Sequence, residues 1–146
     1  MTMELGAIRT INRPADEVFA FFSDASNNPK WQRGMVSCEW TTPPPIGVGS
    51  KYSQLARFMG RAVESKFVVT DYEPGRLIAI ETEESTFPIN VRRTVTPLDE
   101  SSCQVEAVIG GGPESGPLKW MTPLVQGRAQ KSVDADYDRL VALLEG

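Results

Sequence analysis

The feature that most constrains the fold is a run of short strand-like segments in the middle of the chain, followed by a single long helical segment. Compact turn signals such as Gly60 and Glu73-Pro74-Gly75 separate these segments. Turns this short join neighbouring antiparallel strands, so the pattern predicts a meander. The predicted strands are Ser50 to Met59, Arg61 to Tyr72, Leu77 to Glu84, Phe87 to Pro97 and Cys103 to Ile109.

The two ends of the chain supply the remaining elements. The glycine-rich segment 110–113 reads as a hinge or as a plain connector. Pro123 favours a helix that starts near Thr122, with Thr122 as its cap, or a kinked helix. The other predicted elements are a strand at Met3 to Ile11, a helix from Pro14 to about Asp24, a short helix between Ser26 and Gly34, a strand at Met35 to Thr42, and a helix ending near Leu144.

This order, β-α-α-β6-α, predicts an α+β fold in which a curved antiparallel sheet of about seven strands surrounds the long C-terminal helix. Because the sheet follows the two short helices and precedes the long one, these helices must cover its apolar face. The length of 146 residues suits one domain, so we expect residues 1–146 to form a single unit.

Composition limits the chemistry more than the fold. The chain has no histidine, which removes the most common general base and the most common zinc ligand. Its two cysteines, Cys38 and Cys103, stand alone in strand segments and are expected to be buried small hydrophobes, not a metal or redox pair. We therefore expect no metal and no cofactor.

Charge and hydropathy indicate where the protein works. A formal net charge of -4, without a basic run, argues against nucleic acid as a partner. The sequence contains no stretch of about 18 apolar residues and no secretory signal pattern, so we expect no membrane insertion and a cytoplasmic location. A monomer or a homodimer is expected.

Four segments of the chain carry a family resemblance: INRPADEVFAFFSDASNNPKWQRGM from Ile11, IGVGSKY from Ile46, DYEPGRLIAIET from Asp71 and RAQKSVDADYDRLVALLE from Arg128. Together and in this order they resemble the START-like (SRPBCC) superfamily, in particular its bacterial polyketide cyclase/dehydrase branch. The resemblance spans nearly the whole chain. It implies a helix-grip fold whose cavity binds lipids, sterols, polyketides, hormones or aromatic metabolites, and which in some members catalyses cyclisation or dehydration.

Strand alternation predicts which side chains face that cavity, because residues two apart share a face of the sheet. The pattern leaves open whether Tyr52 or Ser53 begins the inward set of its strand, and we favour Tyr52. Phe19, Phe21, Phe22 and Trp31 are assigned to core packing. The predicted inward sets are Val36, Cys38 and Trp40; Val63, Ser65, Phe67 and Val69; Phe87, Ile89, Val91, Arg93 and Val95; and Cys103, Val105, Ala107 and Ile109.

Two arginines fall among the predicted inward residues, Arg93 on its strand and Arg128 on the last helix. A buried arginine costs several kcal/mol unless its charge is paired. We expect either a rim position or an ion pair with Glu64, Glu81 or Glu83, or else a clamp for a carboxylate or enolate ligand. The predicted ligand-binding residues are Trp40, Tyr52, Phe67, Glu81, Phe87, Arg93, Met121, Val125 and Arg128.

Three functions fit this pattern. A binding or carrier module for a small hydrophobic or amphipathic ligand needs no catalytic group, and we favour it. A cyclase or dehydratase would use Arg93 or Arg128 to stabilise an enolate, and Tyr52 or a cavity carboxylate to move a proton. A regulatory partner of another protein would show an exposed apolar patch.

Overall fold

The computed structural model describes residues 3–58, 60–84, 88–111 and 123–146. The strands are β1 (Met3–Ile11), β2 (Met35–Trp40), β3 (Lys51–Phe58), β4 (Arg61–Glu73), β5 (Leu77–Glu84), β6 (Ile89–Asp99) and β7 (Ser102–Gly111). The helices are α1 (Ala15–Phe22), α2 (Asn28–Trp31), which follows a 3-10 turn at Ala25–Asn27, and α3 (Pro123–Glu145). Their order is the one that the sequence predicts.

All seven strands form one antiparallel sheet, in the order β1-β7-β6-β5-β4-β3-β2. The strands β3 to β7 are sequential neighbours, as short turns require, and β1 closes against β7. The sheet curls into a half-barrel around the helices. The predicted helix-grip arrangement is therefore confirmed.

The concave face carries the core, and its residues come from the predicted alternation. On β4, Ser65, Phe67 and Val69 are buried while their immediate neighbours are more exposed. β6 and β7 repeat this alternation as predicted. Val91, Arg93 and Val95 are buried on β6, and Cys103, Val105 and Ala107 are buried on β7. The most deeply buried side chains are Trp31, Phe22, Phe67, Ile11, Leu140, Val18, Val69, Val95, Val105 and Cys103.

The long helix α3 begins at Pro123, in agreement with one of the two predicted starts. Proline is tolerated there because the first helical N–H has no intrahelical acceptor. The predicted cap, Thr122, lies outside the described residues. Polar contacts fix α3 to the edge strand β1, including Arg9 Nε to Asp138 Oδ1 at 2.7 Å. No helix in the described ranges is long and apolar enough to cross a membrane.

The predicted hinge at 110–113 is wrong for its first two residues, and the other two lie outside the described residues. Gly110 and Gly111 are the last residues of β7 and pair with both β1 and β6. A Cβ on Gly110 would lie 2.8 Å from Asn90 Oδ1, and one on Gly111 would lie 2.5 Å from the Pro88 carbonyl oxygen. These glycines therefore allow close strand packing, and Gly111 also needs its φ of 137°.

Val36 is a second correction. Strand alternation predicts Val36 on the inward face, yet its side chain is 47% exposed. The register between β2 and β3 shifts between Met35 and Ser37, and this bulge moves Val36 to the outer face while Cys38 stays buried.

Candidate functional site

A cavity of about 120 Å³ lies between the concave face of the sheet and helices α2 and α3. Its walls are mainly apolar, and strands β3 to β7 each contribute at least one side chain. The lining residues are Asn28, Trp31, Gln32, Met35, Tyr52, Gln54, Phe67, Ile80, Ile89, Val91, Arg93, Ile109, Val133, Asp136 and Tyr137. The cavity is therefore where the sheet and the gripping helices come together.

Arg93 is the charged group at the centre of this site. It is 7% exposed, and its Nε donates to the Tyr137 hydroxyl at 2.7 Å. Its guanidinium carbon lies 5.2 Å from the centre of the Trp31 ring, within the range of a cation–π contact. Burial acts to lower the pKa of Arg93, but Tyr137 and other neighbours hold it above its ordinary value. The group is thus a fixed, buried cation.

The expected glutamate partners of Arg93 are not there. Glu81 and Glu64 are exposed, and Glu83 pairs with Lys51 at 3.2 Å. Within the described part of the chain, no carboxylate forms an ion pair with Arg93. An aromatic face and a hydroxyl oxygen therefore surround the cation in place of a formal negative charge.

Asp136 is the acidic residue of the cavity wall, and its charge is already engaged. Its Oδ1 accepts hydrogen bonds from Arg139 Nη2 and from the backbone N–H of Arg33. Burial raises the pKa of Asp136, while those two partners and the more distant Arg93 oppose the shift. Because Asp136 pairs with Arg139, the positive charge of Arg93 remains in excess at this site.

Three buried polar atoms of the cavity wall have no hydrogen-bond partner among the described residues. They are Asn28 Oδ1, Trp31 Nε1 and Gln32 Nε2, all at or next to α2. Asn28 and Trp31 are 2% and 1% exposed. A buried polar group without a partner costs about 1–3 kcal/mol, so such groups are rare in native proteins and call for an explanation.

Aromatic rings of β3 and β4, Tyr52 and Phe67, also line the cavity. Tyr52 stacks on Phe67 with ring centres 5.1 Å apart, and Trp40 meets Tyr52 edge-on at 5.3 Å. Burial raises the pKa of Tyr52, so its hydroxyl stays protonated and can only act as a neutral hydrogen-bonding group near neutral pH. Burial likewise raises the pKa of the Cys38 thiol to about 11.

The structure brings together three of the predicted ligand-binding residues, Tyr52, Phe67 and Arg93. Trp40 stands behind Tyr52 and donates its indole N–H to Asp24 at 2.8 Å. Phe87 and Met121 lie outside the described residues. The structure places Val125 in α3 but does not describe its side chain.

The structure does not place Glu81 or Arg128 in the cavity wall, because both are exposed; for Arg128 this agrees with the expected rim position and not with the clamp. Glu81 faces Asn90 of β6 on the outer side of the sheet. Arg128 precedes the cavity-lining Val133 by five residues, which places it about 140° away around the helix. The interior therefore contains one of the two expected arginines.

The sequence interpretation missed four polar residues of the cavity wall and assigned one aromatic residue to the core alone. Trp31 is indeed buried in the core, yet it also lines the cavity. Asn28 lies three residues before it, and Tyr137 lies four after Val133, so both share a helix face with an apolar wall residue. A polar residue on an otherwise apolar helix face was therefore the sequence signal that could have indicated a place in the cavity wall. The missed residues are Asn28, Gln32, Asp136 and Tyr137.

Comparison with solved structures shows which fold the chain adopts. The Zhui aromatase/cyclase from Streptomyces sp. R1128 superposes with a TM-score of 0.81 at 14% identity, covering 99% of this chain and 94% of that one. A START superfamily protein from Mycobacterium smegmatis superposes with a TM-score of 0.82 at 15% identity, covering 97% of both chains. Major latex-like protein 151 from Panax ginseng superposes with a TM-score of 0.73 at 14% identity, covering 99% of both chains. These likenesses show a START-like helix-grip fold.

The family is shown by the sequence itself. Residues 4–145 match the profile of the family described as polyketide cyclase/dehydrase and lipid transport. The chain belongs to this family. No curated protein matches the sequence significantly.

Proposed function

We propose that the protein binds a small amphipathic ligand in the cavity between its sheet and helices α2 and α3, and releases it unchanged. The observation that carries this proposal is an apolar cavity with one buried cation, Arg93, in its wall. Apolar walls with a few fixed polar groups are typical of small-molecule sites. Membership of a family described by both cyclisation and lipid transport supports ligand binding without deciding between the two activities.

The dimensions of the cavity favour an aromatic metabolite among the ligand classes considered. At about 120 Å³ it lies below the usual range of about 300–1,000 Å³ for drug-sized ligands. An apolar cavity of about 150 Å³ holds benzene. The stacked Tyr52 and Phe67 rings also offer an aromatic surface. A single ring with a polar end therefore fits better than a lipid tail or a folded polyketide.

A second candidate is a cyclase or dehydratase acting on a carbonyl substrate, and the Arg93–Tyr137 pair favours it. A buried guanidinium could stabilise an enolate oxygen, and the Tyr137 hydroxyl beside it could supply a proton. The similar structure of an aromatase/cyclase supports this alternative at the level of the fold.

We also propose that the protein acts in the cytoplasm as a single helix-grip unit, a monomer or a homodimer. The acidic balance of the chain and the absence of a membrane-spanning helix from its described residues support this part of the proposal.

The test is native mass spectrometry of freshly purified protein, followed by identification of any released small molecule. Val133→Phe places a larger side chain in the cavity wall, and Leu143→Phe, on an exposed position of the same helix, is the matched control. We expect a bound mass in the wild type and in Leu143→Phe that is lost in Val133→Phe. Equal occupancy in all three proteins would contradict binding in this cavity.

The two candidate functions differ in the fate of the ligand. A carrier returns the molecule unchanged after incubation, whereas an enzyme converts it and loses that turnover in Arg93→Met. Conversion that depends on Arg93 would replace the carrier proposal with the enzymatic one.

A further inference from the structure

The polar part of the cavity wall is unusually rich in hydrogen-bond donors. Arg93, Trp31 and Gln32 all line the cavity, and Trp31 Nε1 and Gln32 Nε2 are buried donors without a described acceptor. Asp136, the wall residue of opposite charge, already accepts from Arg139 and Arg33. A ligand group that complements this wall must accept several hydrogen bonds and carry negative charge.

The Tyr137 hydroxyl strengthens this requirement. Its oxygen accepts the Arg93 Nε hydrogen at 2.7 Å, and no described residue accepts the Tyr137 hydroxyl hydrogen. The hydroxyl can therefore donate to a third group beside the guanidinium. A carboxylate has two oxygens with about four lone-pair positions, which suits a guanidinium and neighbouring neutral donors.

From these observations we infer that the cavity selects single-ring carboxylic acids, with Arg93 as the ion-pair partner of the carboxylate and Trp31 and Tyr137 as neutral donors. This inference rests on the proposed function and adds the chemical class of its ligand. The ring lies against the apolar walls, because the volume of about 120 Å³ leaves room for one ring beside the polar end.

The unpartnered Trp31 donor and the Arg93 charge together favour a charged ligand group over a neutral polar one. Trp31 Nε1 is shielded from solvent and has no described acceptor, so the unliganded protein bears its desolvation cost. A carboxylate oxygen would satisfy this donor and balance the Arg93 charge at the same time. A neutral amide of the same shape could satisfy Trp31 Nε1 with its oxygen, but it carries no negative charge to balance Arg93.

The test is isothermal titration of the full chain with benzoate, benzamide and benzyl alcohol. We expect benzoate to bind at least about 10-fold more tightly than either neutral probe, since a charge-assisted contact is worth about 1.5–3 kcal/mol. Arg93→Met should lower the affinity for benzoate by about 10- to 100-fold and leave the affinity for benzyl alcohol within about 3-fold of wild type.

The matched control is Arg92→Met. Arg92 neighbours Arg93 in sequence but lies on the outer face of the sheet, where it pairs with Asp71 at 3.3 Å. This variant should bind all three probes as the wild type does. Trp31→Phe, which keeps an aromatic ring but loses the N–H, is a second test and should weaken benzoate about 3- to 10-fold.

The outcomes separate this inference from the proposed function. If the neutral probes bind as tightly as benzoate and Arg93→Met changes nothing, the preference for acids is wrong while the cavity proposal stands. If Arg92→Met weakens benzoate as much as Arg93→Met does, the effect is one of overall charge and the inference is overturned. If none of the probes binds at millimolar concentration, the preference for single-ring acids is wrong, and native mass spectrometry with Val133→Phe decides the proposed function separately.

Discussion

The Arg93 guanidinium on β6 donates to the Tyr137 hydroxyl on α3 at 2.7 Å, which joins the sheet to the gripping helix through a buried polar contact. Both residues are nearly inaccessible, at 7% and 3% exposure. The same contact holds the cation at the cavity wall against the Trp31 ring. Polar groups in such a position serve either the fold or a ligand, and their contribution to stability distinguishes these roles.

Arg93→Met should leave the free energy of unfolding within about 1 kcal/mol of wild type, or raise it. The buried guanidinium has no described ion-pair partner, so removing it also removes a desolvation cost that offsets its contacts. Urea denaturation followed by circular dichroism measures the change. A loss of more than about 3 kcal/mol would show that Arg93 is a structural group.

Leu140→Ala should destabilise the protein by about 2–5 kcal/mol, because the side chain is fully buried under the sheet and its removal leaves a cavity. Leu143→Ala on the same helix is the control. Leu143 is 47% exposed and should cost less than about 1 kcal/mol. Equal losses in the two variants would contradict the orientation of α3.

Asp24→Asn should flatten the loss of stability in acid. Burial acts to raise the pKa of Asp24, but hydrogen bonds from Ser26 and Trp40 together hold it below the ordinary 3.8. Since the folded pKa is the lower one, the carboxylate stabilises the protein above pH 3.8, and this contribution is lost as the pH falls through the folded pKa. Thermal melts between about pH 5 and pH 2 test this expectation. Identical acid profiles for both proteins would refute it.

Gly111→Ala should lower the free energy of unfolding by about 1–3 kcal/mol, and Gly110→Ala should lower it by less. At Gly111 a Cβ would meet the backbone oxygen of Pro88 at 2.5 Å in a residue whose φ is 137°. At Gly110 the obstacle is the movable Asn90 side chain. Denaturant melts of the two variants give the comparison. A larger loss in Gly110→Ala would argue against the β7 register.

Most of the fold was predictable because period-two alternation is a local signal. Val91, Arg93 and Val95 were placed inward from their own strand alone, and the structure buries all three. The prediction for Val36 was wrong because a bulge reverses the inward–outward alternation there. A bulge depends on the partner strand, not on the local sequence.

The polar wall of the cavity was less predictable because it depends on contacts between distant parts of the chain. Trp31 and Tyr137 meet with ring centres 5.0 Å apart, although more than a hundred residues separate them. Helical spacing marks both as inward-facing but does not say that they meet at Arg93. Arg128 follows Leu124 by four residues and Val125 by three, a spacing that predicts a shared inward face, but the structure leaves Arg128 exposed.

Nitrogen-labelled protein titrated with benzoate, observed through its tryptophan indole N–H resonances, tests the central claim most directly. Trp31 Nε1 has no described acceptor, whereas Trp40 Nε1 already donates to Asp24 at 2.8 Å and serves as an internal reference. The Trp31→Phe and Trp40→Phe variants assign these two signals among the three tryptophans of the chain. We expect that signal to move downfield to saturation while the Trp40 signal shifts much less. A Trp31 signal that stays in place at saturating benzoate, or shifts no further than that of Trp40, would contradict a ligand site beside Arg93.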